Sequence, residues 1–235
     1  MASISRRELL KLAAGALAAT ALPHSACGQA QAPRFRDADR TRDKIVALVR
    51  SFGDEDPKLL RLIQMIEPVT NLQVHGVKAR PEDLPLWDYF VGELYLNYSF
   101  DDPKFVSSVS AGDLKRLKLK REELLPLSVA NFRRLYPNLR LDRPQPNVVV
   151  VGNGGELEPS LMLDARFWEA EAQRAKSGIV VAVPARDTLM YSDRSSPRNV
   201  DSLKQLATDV YEVAGGNALS RRIFLWNYGR WEVFA

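Results

Sequence analysis

Between Glu93 and Phe100 every second residue is apolar: Leu94, Leu96, Tyr98 and Phe100 alternate with Tyr95, Asn97 and Ser99. That two-residue period sends one set of side chains to a core and the other towards solvent, which a strand in a half-buried sheet does and a helix does not. Other segments carry the same signal in different forms. Asn147 to Val151 and Ile179 to Val183 are short apolar runs of strand length, the second pairing with Leu189 to Ser192 across Pro184-Ala185-Arg186-Asp187. Ile223–Trp226 and Arg230–Phe234 form a hairpin around Tyr228-Gly229.

Helical spacing lies between these strands. An apolar stripe of Ile45, Val46, Leu48, Val49 and Phe52 predicts a helix over Arg42 to Phe52, ended by Gly53. A second helix is expected from Asp56-Pro57 to Pro68, and Leu72, Val74 and Val77 read as a strand. Ser110 to Asp113 resembles a capping box for a short helix reaching Leu117. Leu125, Val129, Phe132 and Tyr136 mark a longer helix that begins or kinks at Pro126. Asp164 caps a helix through Ala175, and Asn199 caps another that ends at Gly215-Gly216. Hairpins joined by helices predict the α+β class: one domain over residues 42–235, a largely antiparallel sheet covered by helices on one side.

The front of the chain reads as an address. "SRRELLK", with Arg6 and Arg7, resembles the twin-arginine export consensus. The apolar run from Leu12 to Leu22 is shorter than the ~20 residues a membrane span requires. Residues 1–26 are therefore read as a signal peptide, and residues 27–41, polar and containing Ala, Gln, Pro and Arg, as a flexible tether. Cys27 is the only cysteine, and Ser25-Ala26-Cys27-Gly28 resembles a lipobox, with His24 where leucine is usual. Two outcomes stay open: a lipid anchor on Cys27, or soluble release at an Ala-x-Ala-like site near Gly28-Gln29-Ala30. With no cysteine after Cys27 there is no internal disulfide, so burial and hydrogen bonds hold the domain. Without Arg6, Arg7, Lys11 and Glu8 the remainder carries 30 basic and 28 acidic residues, too balanced to drive nucleic-acid binding.

Three segments, "LPLWDYFVGELYLNYSFDD", "SAGDLKRLKLKREELLPLSVANFRRL" and "IVVAVPARDTLMYSD", resemble the bacterial YtpQ-like family, a domain of unknown function. The likeness runs from about Leu72 to Phe234 and implies a fold but no activity. It departs at the front, since members of that family are cytosolic and lack an export signal.

Candidate chemistry is sparse. His75 is the one histidine after the signal; alone it makes neither a zinc site nor a triad. Gly152-Asn153-Gly154-Gly155 follows a strand as phosphate loops do, but Glu156 and Glu158 would repel phosphate, so it reads as a turn. No metal or cofactor motif is present. Asp187 and Asp193, with Arg186 and Arg194, flank the strand Thr188–Ser192; two carboxylates there suit acid/base work and the arginines an anionic group, while turn-closing roles serve equally. Lys115, Arg116, Lys118, Lys120 and Arg121 alternate with Leu114, Leu117 and Leu119, a pattern fitting either anionic headgroups or a solvated face. Trp87, Tyr89, Trp226, Tyr228 and Trp231 suit a ligand groove or cross-strand packing. The function expected is that of an exported, lipid-anchored binding or scaffold domain for an envelope protein or ligand. The alternative is an envelope hydrolase using Asp187 and Asp193.

Overall fold

The computed structural model describes residues 40–53, 73–74, 77–78, 81–102, 105–152, 155, 157–175 and 177–235, all within one compact unit. The α+β class holds: antiparallel sheets with helices packed on them. The helix expected over Asp56–Pro68 and the residue His75 lie outside the described residues. Of the strand expected there, two short strands, β2 (Gln73–Val74) and β3 (Val77–Lys78), pair antiparallel.

The helix predicted over Arg42–Phe52 is instead strand β1, Ile45–Ser51. Ile45 to Val49 are buried without a break. A strand covered on both faces shows a continuous apolar run, which one apolar stripe of a helix also matches. The β-branched Ile45, Val46 and Val49 tip the balance to strand.

In the first sheet, β5 (Leu94–Asp102) is central. β1 runs along one edge, from Ile45 opposite Phe100 to Ser51 opposite Leu94. β4 (Trp87–Val91) and β6 (Phe105–Ser108) lie end to end along the other. At their junction the Tyr98 amide donates to the Leu86 carbonyl at 3.2 Å, and its carbonyl accepts from Val109 at 2.7 Å. The alternation expected on β5 is present: Leu94, Leu96, Tyr98 and Phe100 are all buried.

The second sheet sets three hairpins side by side: β7 (Arg140–Gln145) with β8 (Val148–Gly152), β9 (Ile179–Ala185) with β10 (Thr188–Asp193), and β11 (Ile223–Asn227) with β12 (Arg230–Val233). Their spatial order is β12-β11-β9-β10-β8-β7. β9 is buried at every position. Ile179, Val181 and Val183 belong to the main core. Val180 and Ala182 are also buried, and helix α4 (Pro197–Ala214) lies along β9 and β10. This sheet is thus buried on both faces, by the main core on one and by α4 on the other, and that is the physical content of its unbroken apolar run. The β11–β12 turn places Tyr228 at φ 45° and Gly229 at φ 84°, the twist a two-residue hairpin needs.

Helix α1 (Ala111–Leu117) carries the expected capping box, with the Asp113 amide donating to Ser110 Oγ at 3.2 Å and the Ser110 amide to Asp113 Oδ2 at 3.1 Å. Helix α2 (Leu124–Leu135) starts before Pro126, which sits in the first turn where no amide is required. Its buried stripe is Leu124, Ser128, Asn131 and Phe132, one residue round from the stripe predicted, and Leu125 is exposed. Asn131 is drawn inward because its side-chain amide donates to the carbonyls of Arg42 and Ile45, each at 2.8 Å. It thereby satisfies the carbonyls at the entry to β1.

Helix α3 (Ala165–Arg174) is capped by Asp164 as expected. The cap of α4 is Ser196, three residues before the predicted Asn199, with Pro197 at the first helical position. Two contacts tie the sheets together. Gly92, at φ 58°, brings the β4–β5 turn so near β12 that an added Cβ would lie 3.0 Å from Val233. Beside it, buried Glu93 accepts from the Ser220 hydroxyl and lies 3.1 Å from the Arg222 guanidinium.

Candidate functional site

The hairpin β9–β10 was the strongest candidate region in the sequence, and its geometry separates the residues expected to work together. Arg186 and Asp187 form the turn before β10; Asp193 ends β10 and Arg194 follows it. Six residue steps of extended chain divide the two aspartates, about 20 Å at ~3.3 Å per step. A single substrate bond cannot lie within hydrogen-bond reach of both. Each carboxylate is also used locally. Asp187 Oδ1 accepts from the Thr188 hydroxyl at 3.0 Å. Asp193 Oδ1 accepts from the Ser195 amide at 2.7 Å, and the Asp193 carbonyl accepts from the Asn199 side chain at 2.9 Å. Asp193 therefore shapes the loop that delivers Ser196 to the start of α4.

Arg194 faces a more open setting. Its amide donates to the Gly178 carbonyl at 3.1 Å and its Nε to the Ser177 carbonyl at 2.7 Å. Its guanidinium lies 5.8 Å from the centre of the Phe234 ring. These contacts hold the side chain at the rim of a surface cleft of about 550 Å³ lined by Ser177, Arg194, Pro197, Val200, Asp201, Lys204 and Phe234. Pro197, Val200, Asp201 and Lys204 fall on one face of α4 by the helical repeat. The cleft thus sets a guanidinium, an ammonium and a carboxylate around the apolar Val200 and Phe234. Arg194 was legible as a candidate in the sequence; Lys204, Asp201 and Phe234 were not, because only the docking of α4 and β12 on β9 assembles them.

The aromatic residues do not form one groove. Trp226 and Trp231 pack in the core, their rings 5.0 Å apart, with Trp231 5.1 Å from Trp168 and its Nε1 donating to the Met162 carbonyl at 2.8 Å. Trp87 belongs to the other sheet, edge-on to Phe52 at 5.4 Å and Tyr95 at 6.0 Å. Tyr228 is fully exposed at its hairpin tip.

Part of the basic run is structural. Arg121 donates to the Trp87 carbonyl at 2.6 Å and pairs with Asp88 at 2.7 Å, and Asp88 accepts from the Tyr98 hydroxyl. Burial, then the hydrogen bond to Asp88, pushes the Tyr98 phenol well up. Arg116 pairs with buried Asp113 at 2.9 Å. Burial pushes the Asp113 carboxyl up, but Arg116, Ser110 and Arg40 outweigh it, and the group lies below the ordinary range. At the other end of α2, Tyr136 is pushed up to about 12 by burial and by Asp101.

Among the described residues no group of three His, Cys, Asp or Glu side chains is placed to hold a metal ion, and no helix is long and apolar enough to cross a membrane. Gly155 donates its amide to Glu158 Oε1 at 3.2 Å, so the end of the glycine loop is closed by a carboxylate. Asn153, Gly154, Cys27, Arg6 and Arg7 lie outside the described residues.

No family model and no solved structure matches the chain. It is similar to UPF0354 protein SH1179 of Staphylococcus haemolyticus, 22% identical over 157 residues that cover 63% of this chain and 55% of that protein. A UPF0354 protein of Listeria monocytogenes is 23% identical over 168 residues, covering 71% and 63% of the two chains. UPF0354 protein lwe1624 of Listeria welshimeri is 24% identical over 200 residues, covering 83% and 75%. The chain thus spans little more than half the length of the first of these relatives and under two thirds of the second. All three relatives belong to an uncharacterised family.

Proposed function

We propose that the chain is an exported, lipid-anchored relative of these uncharacterised proteins, a YtpQ-like domain that acts at the cell envelope by binding. The location rests on the twin-arginine-like "SRRELLK" and on the small residues before Cys27. The binding reading is carried by one observation: Arg194, fixed by the Ser177 carbonyl and set against Phe234, opens onto a cleft that also holds Lys204 and Asp201. A held guanidinium beside further charged groups and apolar side chains gives a small polar ligand both charge and contact area. The hydrolase alternative needs Asp187 and Asp193 at one bond, and the length of β10 argues against it.

The test is native purification from membranes, followed by mass spectrometry of copurifying small molecules, for the wild type and for Arg194→Ala. Both side-chain contacts of Arg194 are at the surface, so the variant is expected to melt within about 1 kcal/mol of the wild type. A compound retained by the wild type and depleted at least tenfold in the variant supports the reading. The same set of compounds in both overturns it.

A further inference from the structure

The basic run on α1 has a second use that depends on where the tether meets the domain. Lys118 adopts φ 53°, which ends α1 and turns the following residues into extended chain. The period of the sequence changes at the same place. Leu114, Leu117 and Leu119 pack against the core, and Lys115, Lys118 and Lys120 remain exposed. None of these three ammonium groups has a carboxylate partner among the described residues.

The start of the domain is fastened to this segment. The Arg42 guanidinium donates to the Leu117 carbonyl at 2.8 and 2.6 Å and to the Lys118 carbonyl at 2.5 Å. Arg116 donates to the Arg40 carbonyl at 2.9 Å, and Arg134 to the Asp43 carbonyl. Carbonyl acceptors leave the charges of Arg42 and Arg134 intact. The tether therefore joins the domain amid exposed Arg42, Lys115, Lys118, Lys120 and Arg134. The exposed acids nearby are Asp43, Asp83, Glu122 and Glu123; Asp83 lies in the 3-10 segment Pro81–Asp83, which packs on α1 and also carries the half-buried Glu82, and Glu123 holds the Lys120 amide at 2.6 Å.

We propose that this face lies on an anionic phospholipid surface. The inference rests on the anchored reading of Cys27 for its setting. Arg40 is thirteen residue steps from Cys27; fully extended, that chain reaches about 45 Å at ~3.5 Å per step. A bilayer so close acts at high effective concentration, and modest charge complementarity then suffices to orient the domain.

The test needs no lipid on the protein. The full chain carrying Cys27→Ala is sedimented with phosphatidylcholine vesicles and with vesicles that also contain phosphatidylglycerol. It is then compared with the same chain carrying Lys115→Gln, Lys118→Gln and Lys120→Gln; the apolar leader is common to both and cancels. The lysine chain is expected to prefer the anionic vesicles, to lose that preference in high salt, and to bind them tenfold or more tighter than the triple variant at an unchanged melting temperature. Equal binding by the two chains overturns the proposal. So does capture of the lysine chain by polyglutamate with no preference for anionic vesicles, which assigns the face to an acidic protein. Loss of the anchor itself is read separately, by fractionation of cells, so the two failures are distinguishable.

Discussion

Trp168→Ala is expected to lower the unfolding free energy by about 3–5 kcal/mol, the usual cost of emptying a buried tryptophan site. Trp168 has no exposed surface. Its ring meets Phe167 at 4.9 Å, Trp231 at 5.1 Å and Tyr191 at 5.4 Å, all near-perpendicular. Its Nε1 donates to the Leu161 carbonyl at 2.8 Å. One side chain thus joins α3 to β10, to β12 and to the 3-10 turn Glu158–Leu163. Tyr191 is further held by its hydroxyl, which donates to Glu171 Oε2 at 2.9 Å, so it cannot swing into the space left. In urea the midpoint should fall with the slope unchanged. A loss under about 1 kcal/mol would mean that the site collapses freely and that the cluster is not the keystone its geometry implies.

Asp164→Ala should cost about 2 kcal/mol at neutral pH, and the loss should fade in acid. Asp164 does two jobs. Its Oδ1 accepts from the Phe167 amide at 3.2 Å and caps α3, a contribution of about 1 kcal/mol. Both carboxylate oxygens also accept from Arg133 on α2, the Nε contact at 2.6 Å. Arg133 is about a third exposed (35%), so solvent screening holds that pair to about another 1 kcal/mol. Burial pushes the Asp164 carboxyl up; Arg133 and the amides of Phe167 and Arg166 pull it down further, and the result lies below the ordinary value. The unfolded chain therefore binds the proton more readily than the folded one. The stabilisation is complete above the unfolded aspartate value of about 3.9 and is lost as pH falls through the lower folded value. Urea titrations at neutral pH and near pH 3 should show the wild type and variant converging in acid. A constant gap would assign the cost to lost packing. Asp113, lowered in the same direction, should leave an acid limb in the variant as well.

What was legible in the sequence was what local chemistry decides. The alternation along β5, the Ser110–Asp113 capping box, the Asp164 cap and the Tyr228-Gly229 turn each follow from a handful of neighbouring residues. Where the reading slipped, a distant partner decided. Ile45–Val49 fits a helical stripe until β5 pairs with it and α2 packs on it as a strand. Asn131 looks misplaced on a buried face until the carbonyls of Arg42 and Ile45 appear beside it. Ser196 and Asn199 are both good caps, and Pro197 selects the earlier. Asp187 and Asp193 are legible as the two flanks of a strand, but the length of that strand keeps them from sharing one site. The cleft at Arg194 draws on α4, the Ser177 turn and the segment after β12, so no single stretch of sequence displays it.

The envelope location is the premise from which both the binding reading and the membrane-facing surface take their setting. Its most direct measurement is the mass and cell fraction of the native protein, compared with Cys27→Ala. The expected wild type begins at Cys27, carries acyl chains and sediments with membranes, while the variant appears in the soluble fraction. A wild-type protein that still begins at Met1 or Ala2 and fractionates with cytosolic proteins would contradict it.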